Sequence, residues 1–455
     1  MANGGAPVST LTRLQIAAYG ALGLPLAFAA LPVYVYAPKF YAGLGLSLAA
    51  SGAVLLAARL ADAFIDPWLG AWSDRTASRK RFIALFLLPL GIGMFALFHP
   101  PAGGTALLTL WLAAFLALVY LGFSAANIAY QAWGARIAGN AHERTVVSAA
   151  REGLGLAGVV LASLLPQFLA QPLASGGAAS IEAGLPQTSI AFIAILVACA
   201  ALTLAFTPAR STAENRFSTT PEKMANTGSG SHSSAGLLST LASPLYRRLL
   251  VVFGLNGIAS AIPATLFLFF AADVLQASKS SGNFLALYFV AAACALPIWV
   301  RAAQRFGKRR AWLASMLLAI AAFAWAWLLG PGDTTAFAAI CIASGIALGA
   351  DLALPPSILA DVIERDQSGG REGAYFGVWN LVTKLNLALA AGLALPALAW
   401  AGYVPGATGA ASGAAASAAP GAAAALGALA IAYCLVPCAL KLCAAVLLFR
   451  SDFNH

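Results

Sequence analysis

Long apolar blocks separated by short basic breaks dominate this chain, and they leave it few folds to adopt. Twelve blocks of helix length run over 12–36, 46–71, 81–98, 105–136, 145–169, 187–207, 246–275, 283–304, 311–330, 334–361, 372–399 and 421–449. Each can cross roughly 30 Å of hydrocarbon as a helix. In hydrocarbon the backbone has no water to bond, so every such block must satisfy its own N–H and C=O groups, which a helix does. Composition agrees: 61% of the 455 residues are hydrophobic and 9% charged, with a mean hydropathy of +0.83, whereas soluble domains are roughly a quarter charged. The expected fold is an all-α integral membrane protein with twelve transmembrane helices. Soluble enzymes and nucleic-acid-binding proteins are excluded on the same grounds.

The formal net charge of +10 would suit a nucleic-acid partner if the basic residues clustered on one soluble surface. They do not. One set of alternate segments (the N-terminus, 72–81, 136–144, 208–248, 301–310, 362–371 and the C-terminus) holds 20 of the 26 Lys and Arg, and the opposite set holds only Lys39 and Lys279. Positively charged loops stay on the cytoplasmic side, which places both termini in the cytoplasm. The first apolar stretch is too long for a cleavable signal peptide and lacks its small-residue end. All six cysteines fall inside spans with no CxxC pair, and they read as small buried packing residues.

The longest polar interruption, 208–245, is rich in Ser, Thr, Gly and Pro and reads as a cytoplasmic linker. It divides the chain into a six-helix bundle over 1–207 and another over 246–455. The halves echo each other: span 2 runs out in GAWSDRTASRKR and span 8 in RAAQRFGKRR, a parallel internal repeat. The stretch 406–425, dominated by Gly and Ala, reads as an external loop.

Functional groups are expected where charge enters the apolar blocks, because an ionisable group near the bilayer centre costs at least about 2.5–3.5 kcal/mol and normally faces a cavity or a partner. At about 1.5 Å per residue, Asp62 lies roughly 18 Å and Asp66 roughly 12 Å inward from Asp74. In RLADAFIDPWLG the two are four residues apart and share a helix face. Two carboxylates so placed repel unless a cation neutralises them, the requirement for a reversible Na⁺ or H⁺ site. Lys384, roughly 18 Å along its helix from Glu372, is too deep to snorkel and is the natural counter-ion. Asp351 in span 10 and Asn127 and Gln131 in span 4 offer hydrogen bonds to a polar substrate at the repeat interface. Trp379 and Asn380 bear on its polarity: an apolar wall of Trp379 and Phe123 would suit a lipid-like solute, a polar ring of Asn127, Gln131, Asp351 and Asn380 a sugar. Arg151 and Glu152 fit either snorkelling or a local ion pair, and Lys441 reads as structural. The basic clusters around Asp74 and Arg75, and around Lys308 and Arg309, serve as topology signals and as a candidate interdomain latch.

These residues resemble the major facilitator superfamily, and within it the glycoside-pentoside-hexuronide:cation symporters, over nearly the whole chain. Two stretches carry the resemblance: RLADAFIDPWLGAWSDRTASRKRF at 59–82, like the family's Asp-x-x-x-Asp-Pro helix and basic loop, and ADVIERDQSGGREGAYFGVWNLVTK at 360–384, like its link into the helix 11 lysine. The resemblance implies two six-helix bundles. It makes Asp62 and Asp66 the cation ligands with Ser124 supplying a hydroxyl, Lys384 the lysine near that site, and Arg151 an arginine near bound solute. Arg59 matches the arginine before the aspartate pair. Departures bear on mechanism. The family's best known member has an asparagine just before the second aspartate that contributes to sodium binding; Ile65 stands here, which tilts the coupling ion towards H⁺. That member's helix 4 aspartate and nearby tryptophan correspond to Asn127 and Gln131, and its helix 1 aspartate falls in the uncharged GLPLAF, so galactoside specificity is not expected.

The function expected is cation-coupled transport, by H⁺ or Na⁺, of a sugar, glycoside or related polar solute across the cell inner membrane by alternating access, with no cofactor. The rivals are a lipid or lysolipid carrier or exporter on the same fold and a polytopic membrane enzyme; the chain has no HExxH, GxSxG or midplane histidine to support the enzyme. Expected partners are a small-molecule substrate and the lipid bilayer, not nucleic acid, with the chain acting as a monomer.

Overall fold

The computed structural model describes residues 11–169, 184–209, 240–277, 280–366, 368, 370–403 and 422–450. Most of the expected linker and loop, at 208–245 and 406–425, lies outside the described residues, as do both chain ends and Lys279.

The described residues form helices joined by short turns, without a strand. Among the described residues, eleven helices are long and apolar enough to cross a membrane. We number the crossing helices α1 (Arg13–Tyr34), α2 (Leu48–Arg75), α3 (Arg79–Leu97), α4 (Thr105–Ile137), α5 (Ala141–Leu169), α6 (Leu185–Phe206), α7 (Pro244–Phe269), α8 (Ser281–Phe306), α9 (Lys308–Ala326), α10 (Thr334–Arg365), α11 (Glu372–Trp400) and α12 (Ala424–Arg450). The twelfth, α2, is 28 residues long and thus about 42 Å, but it is not among the eleven; it carries Arg59, Asp62 and Asp66. Helix α2 outruns the expected block 46–71, so Asp74 and Arg75, expected in a loop, form its last turn.

Local chemistry explains where helices begin. Thr12 and Gln15 form a reciprocal capping box at the head of α1, and Ser47, Ser78 and Ser243 each accept a backbone N–H at the heads of α2, α3 and α7; the first-turn amides need such partners. Prolines inside helices (Pro67, Pro89, Pro166, Pro263, Pro297, Pro355, Pro356 and Pro396) are tolerated in a membrane helix because neighbours re-satisfy the freed groups. Large apolar side chains lie exposed on the outer faces, Leu85, Leu88 and Ile92 along α3 among them, which is the surface a bilayer covers.

The chain forms two compact units: Met1–Thr240 with Ile363–Leu381, and Leu241–Val362 with Val382–His455. In the first, α4 packs against α2 and α3, and α1 packs against α5 and α6. In the second, α12 packs against α7 and α9, and α8 against α9. Helix α11 changes membership along its length: its opening residues belong to the first unit and the remainder, from Val382, to the second.

Candidate functional site

Several polar clusters and an aromatic cavity emerge from these helices. In the first unit, α2 and α4 hold a buried carboxylate–hydroxyl pair. Asp62 and Asp66 are both buried, as is Ser124 on α4. Ser124 Oγ donates to Asp62 Oδ1 at 2.6 Å, a charge-assisted length. Pro67 sits inside α2, so Asp66 is a mid-helix residue and not a helix-end cap. Two carboxylates and a hydroxyl offer hard oxygen donors of the kind a small cation takes. Arg59, one turn before Asp62, lies with its guanidinium 4.6 Å over the Tyr34 ring.

Near this pair, still in the first unit, Asn127 Nδ2 and Gln131 Nε2 both donate to Asn380 Oδ1, at 3.3 and 3.4 Å. Asn380 Nδ2 in turn donates to the Phe376 carbonyl at 2.8 Å. Trp379 is buried beside them in sequence. Three of the expected substrate residues are thus brought into one amide cluster. Arg151 is buried on α5 and pairs with Glu152 through Nε at 3.0 Å and through Nη2, which makes the local ion pair the arrangement found.

The end of α2 is tied to the head of α11. Asp74 accepts the backbone N–H of Gly373 at 2.7 Å and of Ala374 at 2.8 Å, where the first-turn amides of α11 carry a partial positive charge. Arg79 Nη2 bridges Asp74 Oδ1 at 2.7 Å and Glu372 Oε2 at 2.6 Å. The helices can approach this closely because both are bare at the crossing: a Cβ on Gly70 would stand 2.0 Å from the Gly373 carbonyl oxygen, and one on Gly373 would stand 2.4 Å from that of Gly70. Of the residues read as a latch, Asp74 is held by Arg79 and α11. Arg75 is exposed at the end of α2 and Arg309 is half-buried, while Lys308 binds Asp361 at 2.6 Å in the second unit. Arg79, which the sequence presents as one basic residue among four, is the bridging group.

In the second unit α7, α8, α9, α10 and α12 enclose a cavity of about 310 Å³, at the lower end of the range for small-ligand sites. Phe267, Tyr288, Phe323, Phe337 and Tyr433 are among the rings on its wall, and Asp351 and Lys441 supply its charge. Lys441 Nζ donates to Asp351 Oδ2 at 2.8 Å, to Asn256 Oδ1 at 2.7 Å and to Ser260 Oγ at 3.3 Å. Trp312 Nε1 donates to Asp351 Oδ1 at 2.7 Å. Asp351, expected beside Asn127 as a substrate acceptor, therefore has both oxygens engaged inside its own unit. Lys441, read as structural, is on the cavity wall. Its signal in the sequence was depth alone. Lys384 is half-buried on the part of α11 that belongs to the second unit.

The sequence model of the MFS/sugar transport protein family matches residues 17–455. The chain belongs to that family, and it is a multi-pass membrane transporter of the major facilitator type. Among solved structures, a bacterial homologue of the iron transporter ferroportin in its outward-facing state aligns with a TM-score of 0.68 at 15% identity, over 96% of this chain and 99% of that one. The E. coli fucose:proton symporter aligns with a TM-score of 0.67 at 15% identity, over 96% and 98%. Both likenesses establish the fold. Among curated relatives, the sphingosine-1-phosphate transporter of Xenopus tropicalis is 25% identical over 173 residues, 37% of this chain and 33% of that protein. The sodium-dependent lysophosphatidylcholine symporter 1-A of Danio rerio is 25% identical over 176 residues, 38% and 33%. The alignments span about a third of the length of these relatives.

Proposed function

We propose that the protein is a cation-coupled secondary transporter that moves an amphipathic solute by alternating access in the cell inner membrane, with both termini cytoplasmic. The observation that carries the coupling is the buried Asp62–Ser124 pair at 2.6 Å, with Asp66 buried one turn further along α2: a charged group kept at mid-depth is expensive and is retained for ion work. H⁺ or Na⁺ is the coupling ion, and Lys384 supplies the helix 11 positive charge that the resemblance to cation symporters implies. The contacts of Asp74 with the head of α11 serve as the latch that is released in each cycle.

The substrate class rests on the cavity of the second unit. Its aromatic wall with one ion pair suits an apolar chain with a polar head, and the lysolipid and sphingosine phosphate carriers among the relatives support that choice over a sugar. A polar solute is the second reading, favoured by the amide cluster of Asn127, Gln131 and Asn380.

The test is uptake into proteoliposomes of the purified chain under imposed H⁺ or Na⁺ gradients, with lysophospholipids, long-chain phosphates, glycosides and uronates as solutes. Gradient-driven uptake of an amphiphile that Asp62→Asn abolishes is the expected result. Uptake that ignores both gradients and the substitution would remove the coupling assignment, and uptake of glycosides alone would move the substrate to the polar reading.

A further inference from the structure

Resting on the amphiphile reading above, we propose that the Lys441–Asp351 pair is a head-group site that selects an anionic head, a phosphate monoester or similar oxyanion, with a single apolar chain lying along the aromatic wall of the cavity. A buried ion pair of this kind is costly. Two charges taken out of water regain their hydration only through mutual attraction and further hydrogen bonds, and well-packed apolar residues usually serve stability as well or better. Here the pair lines a cavity instead of filling a packed core, so it stands where a ligand can reach it.

The sign of the head follows from the polar groups around it. Lys441, Ser260, Tyr288 and Tyr433 line the cavity and can all donate hydrogen bonds, against one carboxylate, Asp351. Asp351 is anchored from outside the pair, through Oδ1 to the Trp312 indole at 2.7 Å. An entering oxyanion can therefore share the Lys441 ammonium, taking over bonds now made to Ser260 and Asn256, while Asp351 stays held by Trp312. A cationic head would find only Asp351 and would have to displace Lys441, stranding a buried ammonium. A neutral sugar head would leave the ammonium with nothing it lacks. Apart from Ser344, Cys341 and Cys438 the rest of the wall is aromatic and aliphatic, so the oxyanion has to carry an apolar chain to gain from it.

The experiment is calorimetric binding to the full-length chain in nanodiscs of zwitterionic lipid, with dodecyl phosphate, dodecyl glucoside, dodecyltrimethylammonium and inorganic phosphate as probes. Dodecyl phosphate is expected to bind at least 10-fold more tightly than the other three. Lys441→Met is expected to weaken it at least 10-fold and to leave the glucoside within about 2-fold, with Lys441→Arg retaining most of the affinity. Because Lys441→Met strands Asp351 and can unfold the unit, the charge-balanced double variant Lys441→Met/Asp351→Asn is measured alongside it, each checked by its melting temperature. Unchanged dodecyl phosphate affinity in the folded double variant overturns the proposal, as does glucoside or dodecyltrimethylammonium binding as tight as the phosphate. Inorganic phosphate binding as tightly as dodecyl phosphate overturns the chain along the aromatic wall. The two readings fail separately: gradient-driven uptake of dodecyl glucoside that Asp62→Asn abolishes keeps the transport reading and sinks the anionic site, whereas Lys441-dependent binding with gradient-insensitive uptake does the reverse.

Discussion

Ser124 reaches across from α4 to donate its hydroxyl hydrogen to Asp62 on α2 at 2.6 Å, with both groups buried. This bond ties the oxygen donors of two helices together. A sodium ion needs several oxygens around it, whereas a proton needs a single carboxylate. Ser124→Ala therefore separates the two. If Na⁺ is the ion, sodium-driven uptake falls about 10-fold or more, the worth of one bond to a charged group; if H⁺ is the ion, proton-driven uptake changes by less than about 2-fold. Initial rates under each gradient give the answer, and abolition of both would assign Ser124 to folding or to the solute instead.

The proposed latch role of Asp74 makes a kinetic prediction. Asp74 satisfies two first-turn amides of α11 and one arm of Arg79. Asp74→Asn keeps the size of the side chain and removes its charge, which weakens three bonds at once and costs about 2 kcal/mol. A cysteine introduced at Ala374, in a background without the six natural cysteines, should then react at least 5-fold faster with a membrane-impermeant maleimide applied from the cytoplasmic side. An unchanged rate would mean that the contact does not control access.

Gly70 and Gly373 set a steric condition on the same contact. A Cβ at Gly70 would stand 2.0 Å from a backbone oxygen, which neither helix can relieve by turning a side chain. Gly70→Leu is expected to reduce uptake at least 10-fold while the protein still inserts and purifies as wild type. Close approach through small residues is how membrane helices pack where apolar surface alone gives no drive. Retention of full uptake in Gly70→Leu would show that the crossing is dispensable.

How far the sequence reveals this molecule depends on the kind of signal. Apolar blocks and their basic flanks locate the crossings, because backbone satisfaction in lipid leaves little alternative. The spacing of Asp62 and Asp66 marks their shared face, and Ser124 reaches the pair through a resemblance, since nothing in the local pattern of α4 singles out one serine. Partnerships across the fold are harder to read. Lys441 and Asp351 are 90 residues apart and share no motif, and Trp312, which bonds Asp351, is one tryptophan in the apolar block 311–330. Arg79 was hidden for the same reason: in a run of basic residues, composition cannot say which one turns inward.

Arg151 and Glu152 supply a last test, because the two sides of their ion pair are unequally exposed: 9% for the arginine side chain and 26% for the glutamate. Removing one partner costs in proportion to the burial of the charge left behind. Glu152→Gln strands the more buried guanidinium and is expected to destabilise the first unit by about 2 kcal/mol, read as a lower melting temperature. Arg151→Met leaves a carboxylate that water reaches and should cost about half as much. If Arg151 also meets the solute, as the family resemblance implies, the order inverts for function: Arg151→Met lowers uptake at least 10-fold with little loss of stability, and Glu152→Gln lowers stability first. Parallel losses of stability and uptake in both variants would make the pair a structural tie on α5 and remove Arg151 from the substrate path.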